Sequence, residues 1–523
     1  MIQANPTLSP PTTLREKLAQ LMFVRIGSNL PPVRKVEQDA ERIAELLQEC
    51  PLGGLIVFNG SRDQTPAKLK QLQAISQVPL LISADIERGV GQQLHGPDLF
   101  PHAMAFDALG TEAAATVEEF ARLTAIDARA SGLHIAFAPV ADVNVDPRNP
   151  IIATRAFGSD PQRVADLVSA FVRGSQWGGL LCTAKHFPGH GNTHEDSHHE
   201  LPTVVADREA LQQCELAPFR AAIEAGVDLI MSAHVRYPAW DDAGLPATLS
   251  QSILTDLLRD ELGFTGAVVS DSLLMEGVTS QCESEGELAV SAIRAGVDIL
   301  LDVAEPQQTL RWLEDAVQAG DLSTERVDQA FARVWQLKQR MFENEVVDSD
   351  HSTEELAASL TKRVAEKSIR FVSGQDQYRA FDAQTPSLAV LVRPYESHLD
   401  PPEQPLGAAC RDLSGSCDYH ELGPNSTPQD FARVLKLAAS TAQVFVAIIV
   451  KPAAWRAFGL LAQQQAFVEQ LLAQQACVLA SLGSQEALDK FDSATIKICT
   501  YSDVPNSQRA LAALLLGESS EAS

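Results

Sequence analysis

The segment KHFPGHGNTHEDSHHELP, residues 185–202, holds the densest group of side chains that could do chemistry. Histidines recur in it every four residues, at His186, His190, His194 and His198. On a helix, this spacing would stack four imidazoles on one face and would suit a zinc ion. Pro188, Gly189 and Gly191 break any helix here, so the spacing loses that meaning. We therefore expect a long βα loop that holds no metal.

Asp196 and His198 stand two residues apart within this loop. A carboxylate at that distance can orient one ring nitrogen of the imidazole and favour its protonated form. Such a pair suits general acid and base work near neutral pH. The alternative is that both are solvated loop residues.

A second candidate is Asp271, in the segment GFTGAVVSDSLLMEGV, residues 263–278. A carboxylate inside such an apolar segment must be paired, hydrogen-bonded or functional, because an isolated buried charge is very costly. Asp271 is either a structural partner of Lys185 or Arg155, or a nucleophile that attacks an electrophilic carbon.

The elements that must position these residues are eight short apolar runs separated by amphipathic stretches. The runs start at Leu21, Gly53, Pro79, Ile135, Gly178, Val227, Thr265 and Val297. Each run is continuously apolar, which is typical of strands covered on both faces of a parallel sheet. Their alternation with helices over about 330 residues predicts an α/β fold with a closed (β/α)8 TIM-type barrel.

Polar residues follow the apolar runs, as an active site at the carboxyl ends of barrel strands requires. These residues are Asp85, Glu87, Asp142, Asn144, Lys185, His186, Ser232, His234, Asp271 and Asp302. A barrel with only a structural role would need no such ring of ionisable groups, so the ring indicates an enzyme.

The composition changes after Phe342, where apolar runs and helical stretches of a second α/β layer domain begin. We expect a catalytic barrel at residues 12–345, a linker and helix at 346–365, and a smaller C-terminal α/β sandwich domain at 366–523. The segment from Pro401 to Pro428, rich in Pro, Gly, Ser and Asp, is predicted to be a surface loop. The second domain contains neither GxGxxG nor GxxxxGK[ST], so nucleotide binding there has no support.

The charge excludes some partners, since 41 basic against 68 acidic residues give a net charge of −27. Nucleic acids and anionic membranes attract basic surfaces, so neither is expected as a partner. No apolar run is long enough to span a bilayer. The eight cysteines form no CxxC pair and are expected to be reduced thiols, although Cys410 and Cys417 could form a disulfide. A cytoplasmic enzyme is predicted; the oligomeric state is left open.

The patterns KHFPGHGxxxxDSH and VVSDSLLMEG resemble those of glycoside hydrolase family 3, and within it the NagZ-type β-N-acetylhexosaminidases. FAPVADVNVDPRNPIIATRAFGSDP and MSAHVRYPAW extend the resemblance over residues 12–340. It implies a retaining exo-enzyme that forms a covalent glycosyl-enzyme and hydrolyses terminal N-acetylglucosamine from small glycosides, with peptidoglycan muropeptides as natural substrates. It implies no metal and no organic cofactor.

The resemblance also implies roles for individual residues. Asp271 matches the nucleophile, and His198 matches the general acid/base, which Asp196 holds. The remaining matches are sugar-binding or pocket-lining positions: Asp85, Arg155, Lys185, His186, His234 and Met275. One departure lies after Asp85, where the sequence reads DIERGVGQQ with Arg88 in place of a family glycine and Val90 in place of the family arginine.

Three alternatives remain open at this point. The first is another activity on the same fold, a β-glucosidase or an N-acetylglucosaminide phosphorylase. The second is a metallohydrolase that uses the histidine-rich loop. The third is a sugar-binding protein without turnover, which the intact set of ionisable residues disfavours.

Overall fold

The computed structural model describes residues 8–194, 201–343, 351–382, 384–396, 401, 403–452 and 458–517. They divide into two compact units. The first reaches Asp98 and takes in Ala114–Ile152 and Ala156–Ala357. The second consists of Leu99–Ala113, Ala153–Arg155 and the chain from Ala358 onward. The second unit thus draws two short segments from within the range predicted for the barrel.

The helices connect the strands and follow one another along the whole chain. In chain order they are α1 Leu14–Ala19, α2 Val36–Glu49, α3 Thr65–Ile75, α4 Ala103–Asp107, α5 Ala113–Ala130, α6 Pro161–Trp177, α7 Arg208–Gln213, α8 Leu216–Glu224, α9 Glu276–Thr279, α10 Glu285–Ala295, α11 Pro306–Ala319, α12 Thr324–Glu343, α13 His351–Lys367, α14 Pro405–Leu413, α15 Pro428–Ala438, α16 Ala462–Gln474 and α17 Pro505–Leu516. A π-helix spans Ser252–Glu261.

Eight parallel strands form the barrel of the first unit. They are β1 Met22–Ile26, β2 Gly54–Val57, β3 Leu81–Ala84, β4 Ile135–Ala136, β5 Leu181–Phe187, β6 Leu229–Ser232, β7 Ala267–Ser270 and β8 Leu300–Leu301. Their order is β8-β1-β2-β3-β4-β5-β6-β7, and a bridge between Val269 and Ile299 joins the last strand to the first. Each predicted apolar run contains one of these strands, so the predicted barrel is confirmed.

Local sequence explains where the barrel helices begin and end. Asp160 precedes α6, where its side chain accepts a hydrogen bond from the backbone N–H of Arg163, and Ser284 caps α10 in the same way. Gly226 and Gly296 follow α8 and α10 with φ of +82° and +135°, a conformation that strains residues with a Cβ. These caps set the points at which β6 and β8 begin.

The amino-terminal end of the barrel is held by arginines on one helix. Arg326, Arg333 and Arg340 recur every seven residues on α12. Arg326 and Arg333 bind the fully buried Asp298, which precedes β8, and Arg340 binds Asp228, which precedes β6. α12 therefore ties two strands together at the end opposite the predicted active site.

The second unit contains a six-stranded sheet. Its strands are β9 Arg370–Ser373, β10 Ser387–Val392, β11 Cys417–Leu422, β12 Gln443–Ile448, β13 Val478–Ser481 and β14 Ile496–Cys499, ordered β9-β14-β13-β12-β10-β11. Only the pairing of β9 with β14 is antiparallel. One face packs on α15 and α16, and the other packs on α14 and α17. The predicted α/β layer arrangement is confirmed.

The prediction of a surface loop from Pro401 to Pro428 was wrong, because this range contains α14 and β11. β11 is an edge strand whose two ends alone are buried, so its sequence CDYHEL lacks the apolar run of a central strand. Among the described helices, none is long and apolar enough to cross a membrane. All eight cysteines, including Cys410 and Cys417, carry free thiols.

Candidate active site

The polar residues predicted to follow the strands gather at one end of the barrel. Asp85 follows β3, Lys185 and His186 lie in β5, and Asp271 follows β7. His234 lies two residues beyond β6. Because the strands are parallel, their carboxyl ends form a single rim, and side chains from distant parts of the sequence face the same opening.

Asp271 is held as an anion at this rim. The backbone N–H of Ser272 donates to Asp271 Oδ1 at 2.7 Å. Burial alone would raise the pKa of Asp271, but the charges of His186, His234 and Lys185, together with the Ser272 N–H, bring it below its usual value. An ionised carboxylate is the form that a nucleophile needs.

Lys185 joins two carboxylates beside the barrel opening. Its Nζ lies 2.7 Å from Asp85 Oδ1 and 2.7 Å from Glu87 Oε1, and its side chain is only 2% exposed. Asp85 is more open, with 27% of its side chain exposed. The sequence placed Glu87 on the rim together with Asp85, but only Asp85 received a role, which came from the family resemblance.

His186 is oriented by Asp142, a fully buried carboxylate. Asp142 Oδ2 lies 2.7 Å from His186 Nδ1, and Asp142 Oδ1 accepts from the backbone N–H groups of His186 at 3.1 Å and His190 at 2.6 Å. With Asp142 ionised, His186 Nδ1 carries a proton, and Nε2 is the ring nitrogen left to contact a ligand. Asp142 was also predicted on the rim without a role.

His234 and Met275 are both buried. His234 lies close to Asp271 in space, and Met275 lies close to it in the chain. His234 is 1% exposed, and its Nε2 lies 3.0 Å from the backbone oxygen of Ser272 while its Nδ1 lies 2.8 Å from Thr248 Oγ1. Met275, 4% exposed, precedes α9. His234 thus contacts the main chain of the residue next to Asp271.

Three of the predicted site residues are not tested by the described structure. Asp196 and His198 lie outside the described residues. Arg155 is half-buried at the end of a 3-10 helix, Ala153–Arg155, that belongs to the second unit. Their predicted roles stay predictions.

The described parts of the histidine-rich loop are tied down on both sides of residues 195–200. On the amino-terminal side, Asn149 Nδ2 donates to the backbone oxygen of His190 at 2.8 Å. On the carboxyl-terminal side, the backbone N–H of Arg236 donates to the oxygen of Pro202 at 2.9 Å, and the side chain of Arg236 donates to the oxygen of Gly244 at 2.8 Å. These bonds fix where the chain leaves and rejoins the rim.

The barrel and its rim match a known protein family. The model of the glycosyl hydrolase family 3 N terminal domain matches residues 13–337. The chain belongs to glycosyl hydrolase family 3. The predicted family is thereby confirmed, and the matched range contains every barrel strand and every rim residue described above.

Relatives include beta-hexosaminidase A of Pseudoalteromonas piscicida, 32% identical over 57% of this chain and 55% of that relative. The beta-hexosaminidase of Tolumonas auensis is 36% identical over 53% of this chain and 82% of that relative. A family 3 beta-N-acetylglucosaminidase structure from Paenibacillus sp. str. FPU-7 is similar with a TM-score of 0.86 and 34% identity, over 97% of each chain. The chain spans about half the length of the Pseudoalteromonas relative.

The geometry of this family 3 site supports polar chemistry by protein side chains. Among the described residues, no group of three His, Cys, Asp or Glu side chains is placed to hold a metal ion. Burial and the neighbouring His186 lower the pKa of His190 to about 4, so its ring is neutral at neutral pH, and its Nδ1 lies 2.9 Å from Thr193 Oγ1. The site offers an anionic carboxylate, an oriented imidazole and a carboxylate–ammonium cluster at one opening.

Proposed function

We propose that this protein is a retaining exo-β-N-acetylhexosaminidase that removes terminal, non-reducing N-acetylglucosamine from small glycosides. The observation that carries the proposal is the state of Asp271, an anion at the barrel rim with its Oδ1 bound by the Ser272 N–H and with cationic groups around it. The names of the relatives, beta-hexosaminidase and beta-N-acetylglucosaminidase, support the choice of sugar.

In the first step, Asp271 attacks the anomeric carbon through Oδ2, since Oδ1 is bound by Ser272. The glycosidic bond breaks as the new C–O bond forms, and His198, oriented by Asp196, gives its proton to the departing oxygen. In the second step, His198 takes a proton from water, the water oxygen attacks the anomeric carbon, and Asp271 leaves as a carboxylate. The anomeric configuration is retained because the carbon is inverted twice.

The other side chains of the rim bind the sugar. Lys185, fixed between Asp85 and Glu87, and His186, fixed by Asp142, present polar groups with settled directions to the ring hydroxyls. Arg155 completes the hydroxyl contacts, Asp85 binds the far side of the ring, and His234 and Met275 line the pocket. No metal or organic cofactor takes part in these steps.

Peptidoglycan fragments of the muropeptide type, acted on in the cytoplasm, are the natural substrates we propose. Free thiols at all eight cysteines suit a reducing compartment. A charge of −27 makes nucleic acid a poor partner.

The decisive experiment replaces Asp271 by Gly and adds azide. The variant should lose turnover of an aryl N-acetylglucosaminide, and azide should restore leaving-group release with formation of the α-glycosyl azide, because a small anion then occupies the place of the nucleophile. Glu276→Gln, on the exposed start of α9, is a matched control that should keep its activity. Wild-type turnover by Asp271→Gly would contradict the proposal.

Three further measurements separate this activity from the alternative activities. Hydrolysis of the matching aryl glucoside at an equal or higher rate would favour a β-glucosidase. Formation of a sugar phosphate in phosphate buffer, in place of free sugar, would favour a phosphorylase. Loss of activity in a chelator would favour a metallohydrolase.

A further inference from the structure

Three residues in or just after three different strands are linked to one another next to Asp271 in the fold. Arg25 lies in β1, Ser272 follows β7 by two residues, and Asp302 follows β8. Arg25 Nε donates to Asp302 Oδ1 at 3.0 Å, Arg25 Nη2 donates to Asp302 Oδ2, and Ser272 Oγ donates to Asp302 Oδ2 at 2.7 Å. Asp302 is 2% exposed, and these hydrogen bonds give both of its oxygens a partner inside the protein, as a buried carboxylate requires.

Ser272 connects this group to the nucleophile through its main chain. Its N–H donates to Asp271 Oδ1 at 2.7 Å, while its oxygen lies 3.0 Å from His234 Nε2. The serine hydroxyl is the part of the residue that binds Asp302. Asp302 therefore restrains the peptide that holds Asp271.

The backbone of Asp302 is consistent with a role beyond packing. Its φ is +67°, in the left-handed region that residues with a Cβ seldom occupy. Such conformations persist where the surroundings over-determine them, and they cluster at functional sites. Here the N–H of Asp302 donates to the oxygen of Phe23 in β1 at 2.9 Å, and the guanidinium of Arg25 lies over the Phe58 ring at 4.6 Å from its centre.

Charge gives a second reason for the arrangement. A carboxylate close to Asp271 would disfavour its ionisation if it were unpaired. Arg25 faces Asp302 with two donors in a fork geometry, which neutralises the charge and fixes the direction of both oxygens. Asp302 can thus hold Ser272 without repelling the nucleophile.

We propose that Asp302, held by Arg25, is a positioning residue that acts through Ser272 to align Asp271 with the anomeric carbon. This inference rests on the proposed function, because it presupposes that Asp271 is the nucleophile. Neither Asp302 nor Arg25 contacts the substrate in this proposal.

Ser272→Ala is the main test, since it removes the hydroxyl and leaves the backbone N–H in place. We expect kcat/KM for an aryl N-acetylglucosaminide to fall about tenfold or more, while the Ki of N-acetylglucosamine as an inhibitor stays within about twofold. The acidic limb of the pH profile, measured by brief pH-jump assays, should move upward, because a poorly aligned N–H stabilises the Asp271 anion less. His186, His234 and Lys185, the charged or titratable groups that act on Asp271, are unchanged in the variant.

Three more variants separate positioning from a structural role. Ser272→Thr keeps a hydroxyl and should restore most of the activity. Asp302→Asn should act like Ser272→Ala and shift the same acidic limb. Asp298→Asn is the matched control, because Asp298 is an equally buried, arginine-bound carboxylate at the other end of β8. Asp298→Asn should lower Tm by about 5 °C or more without moving the acidic limb of the pH profile.

The outcomes distinguish this inference from the proposed function. A wild-type pH profile and kcat/KM in Ser272→Ala would overturn the inference, whether or not Asp302→Asn folds. Full turnover by Asp271→Gly would instead overturn the proposed function. If Ser272→Ala and Asp302→Asn both lower Tm but leave kcat/KM and the pH profile unchanged, Asp302 is only a structural link between β7 and β8.

Discussion

His186 Nδ1 lies 2.7 Å from Oδ2 of Asp142, a carboxylate that is completely buried beneath the barrel rim. The same carboxylate binds the backbone N–H groups of His186 and His190. One side chain therefore sets the direction of a predicted substrate-binding ring and the path of the loop that leaves β5. The chemistry of the rim depends on a carboxylate that is itself fully buried.

The first prediction concerns this pair. Asp142→Asn should lower kcat/KM about 10- to 100-fold, because the amide can donate to His186 Nδ1 and so favour the wrong tautomer. The measurement is steady-state turnover of an aryl N-acetylglucosaminide. Asp228→Asn, which alters a buried carboxylate at the opposite end of the barrel, should lower stability and leave kcat/KM within about threefold. Equal loss of activity in both variants would contradict the prediction.

The second prediction concerns stability and pH. His190 has its pKa lowered by burial and by His186, from 6.5 to about 4. Between these two pH values the unfolded chain binds a proton that the folded protein does not, so stability falls as pH drops from about 6.5 to about 4, by about 3 kcal/mol from this group. Below pH 4 both states are protonated and this contribution stops changing.

Urea unfolding at several pH values between 4 and 7 measures the effect. His190→Asn should flatten the dependence by one proton. His134 also has its pKa lowered by burial, so His134→Gln should flatten it independently, and the double variant should flatten it most. An unchanged slope in His190→Asn would contradict the prediction.

The third prediction concerns the carboxylate–ammonium cluster. Lys185→Met should lower kcat/KM by about 100-fold or more, because it removes a sugar contact and leaves Asp85 and Glu87 without their shared cation. Glu87→Gln should cost less, about three- to tenfold, since Asp85 still binds Lys185. Kinetics at pH 7 and circular dichroism of the folded variants test this order. A larger loss in Glu87→Gln than in Lys185→Met would contradict it.

The fourth prediction concerns the two ends of the histidine-rich loop. Asn149→Ala removes side-chain bonds that hold residues 190–193. Arg236→Ala removes the side-chain bonds to Gly244 and Gln281 that anchor the residue whose backbone pairs with residues 202–204. If the loop carries the general acid, both variants should slow substrates with poor leaving groups about tenfold, and nitrophenyl substrates much less. The measurement is a series of aryl N-acetylglucosaminides of graded leaving-group pKa. Arg173→Ala, which breaks an exposed pair with Glu118, is the control, and a flat response across the series would refute the prediction.

Much of this architecture could be predicted from sequence because each barrel strand is buried on both faces. Every residue of β2, β3, β6 and β7 is buried, which leaves an uninterrupted apolar run in the sequence. The rim residues could be predicted by the same logic, as the first polar groups after each run. The failure at β11 has the opposite cause, since an edge strand exposes most of its side chains.

The support beneath the site could not be predicted in this way. Arg25 sits inside an apolar run and is separated from its partner Asp302 by 277 positions in the chain. Ser272 binds Asp271 through its backbone N–H, a contact that leaves no trace in residue type. Such contacts are set by the closure of the barrel, which brings β1, β7 and β8 together, and no local pattern encodes them.

The seven-residue recurrence of Arg326, Arg333 and Arg340 has a consequence for evolution and engineering. These arginines hold strands together at the amino-terminal end of the barrel. The stability of the barrel therefore depends less on the residues at its carboxyl-terminal end. Loops at the carboxyl-terminal end can therefore take substitutions, such as Arg88 and Val90, that alter sugar specificity without unfolding the barrel.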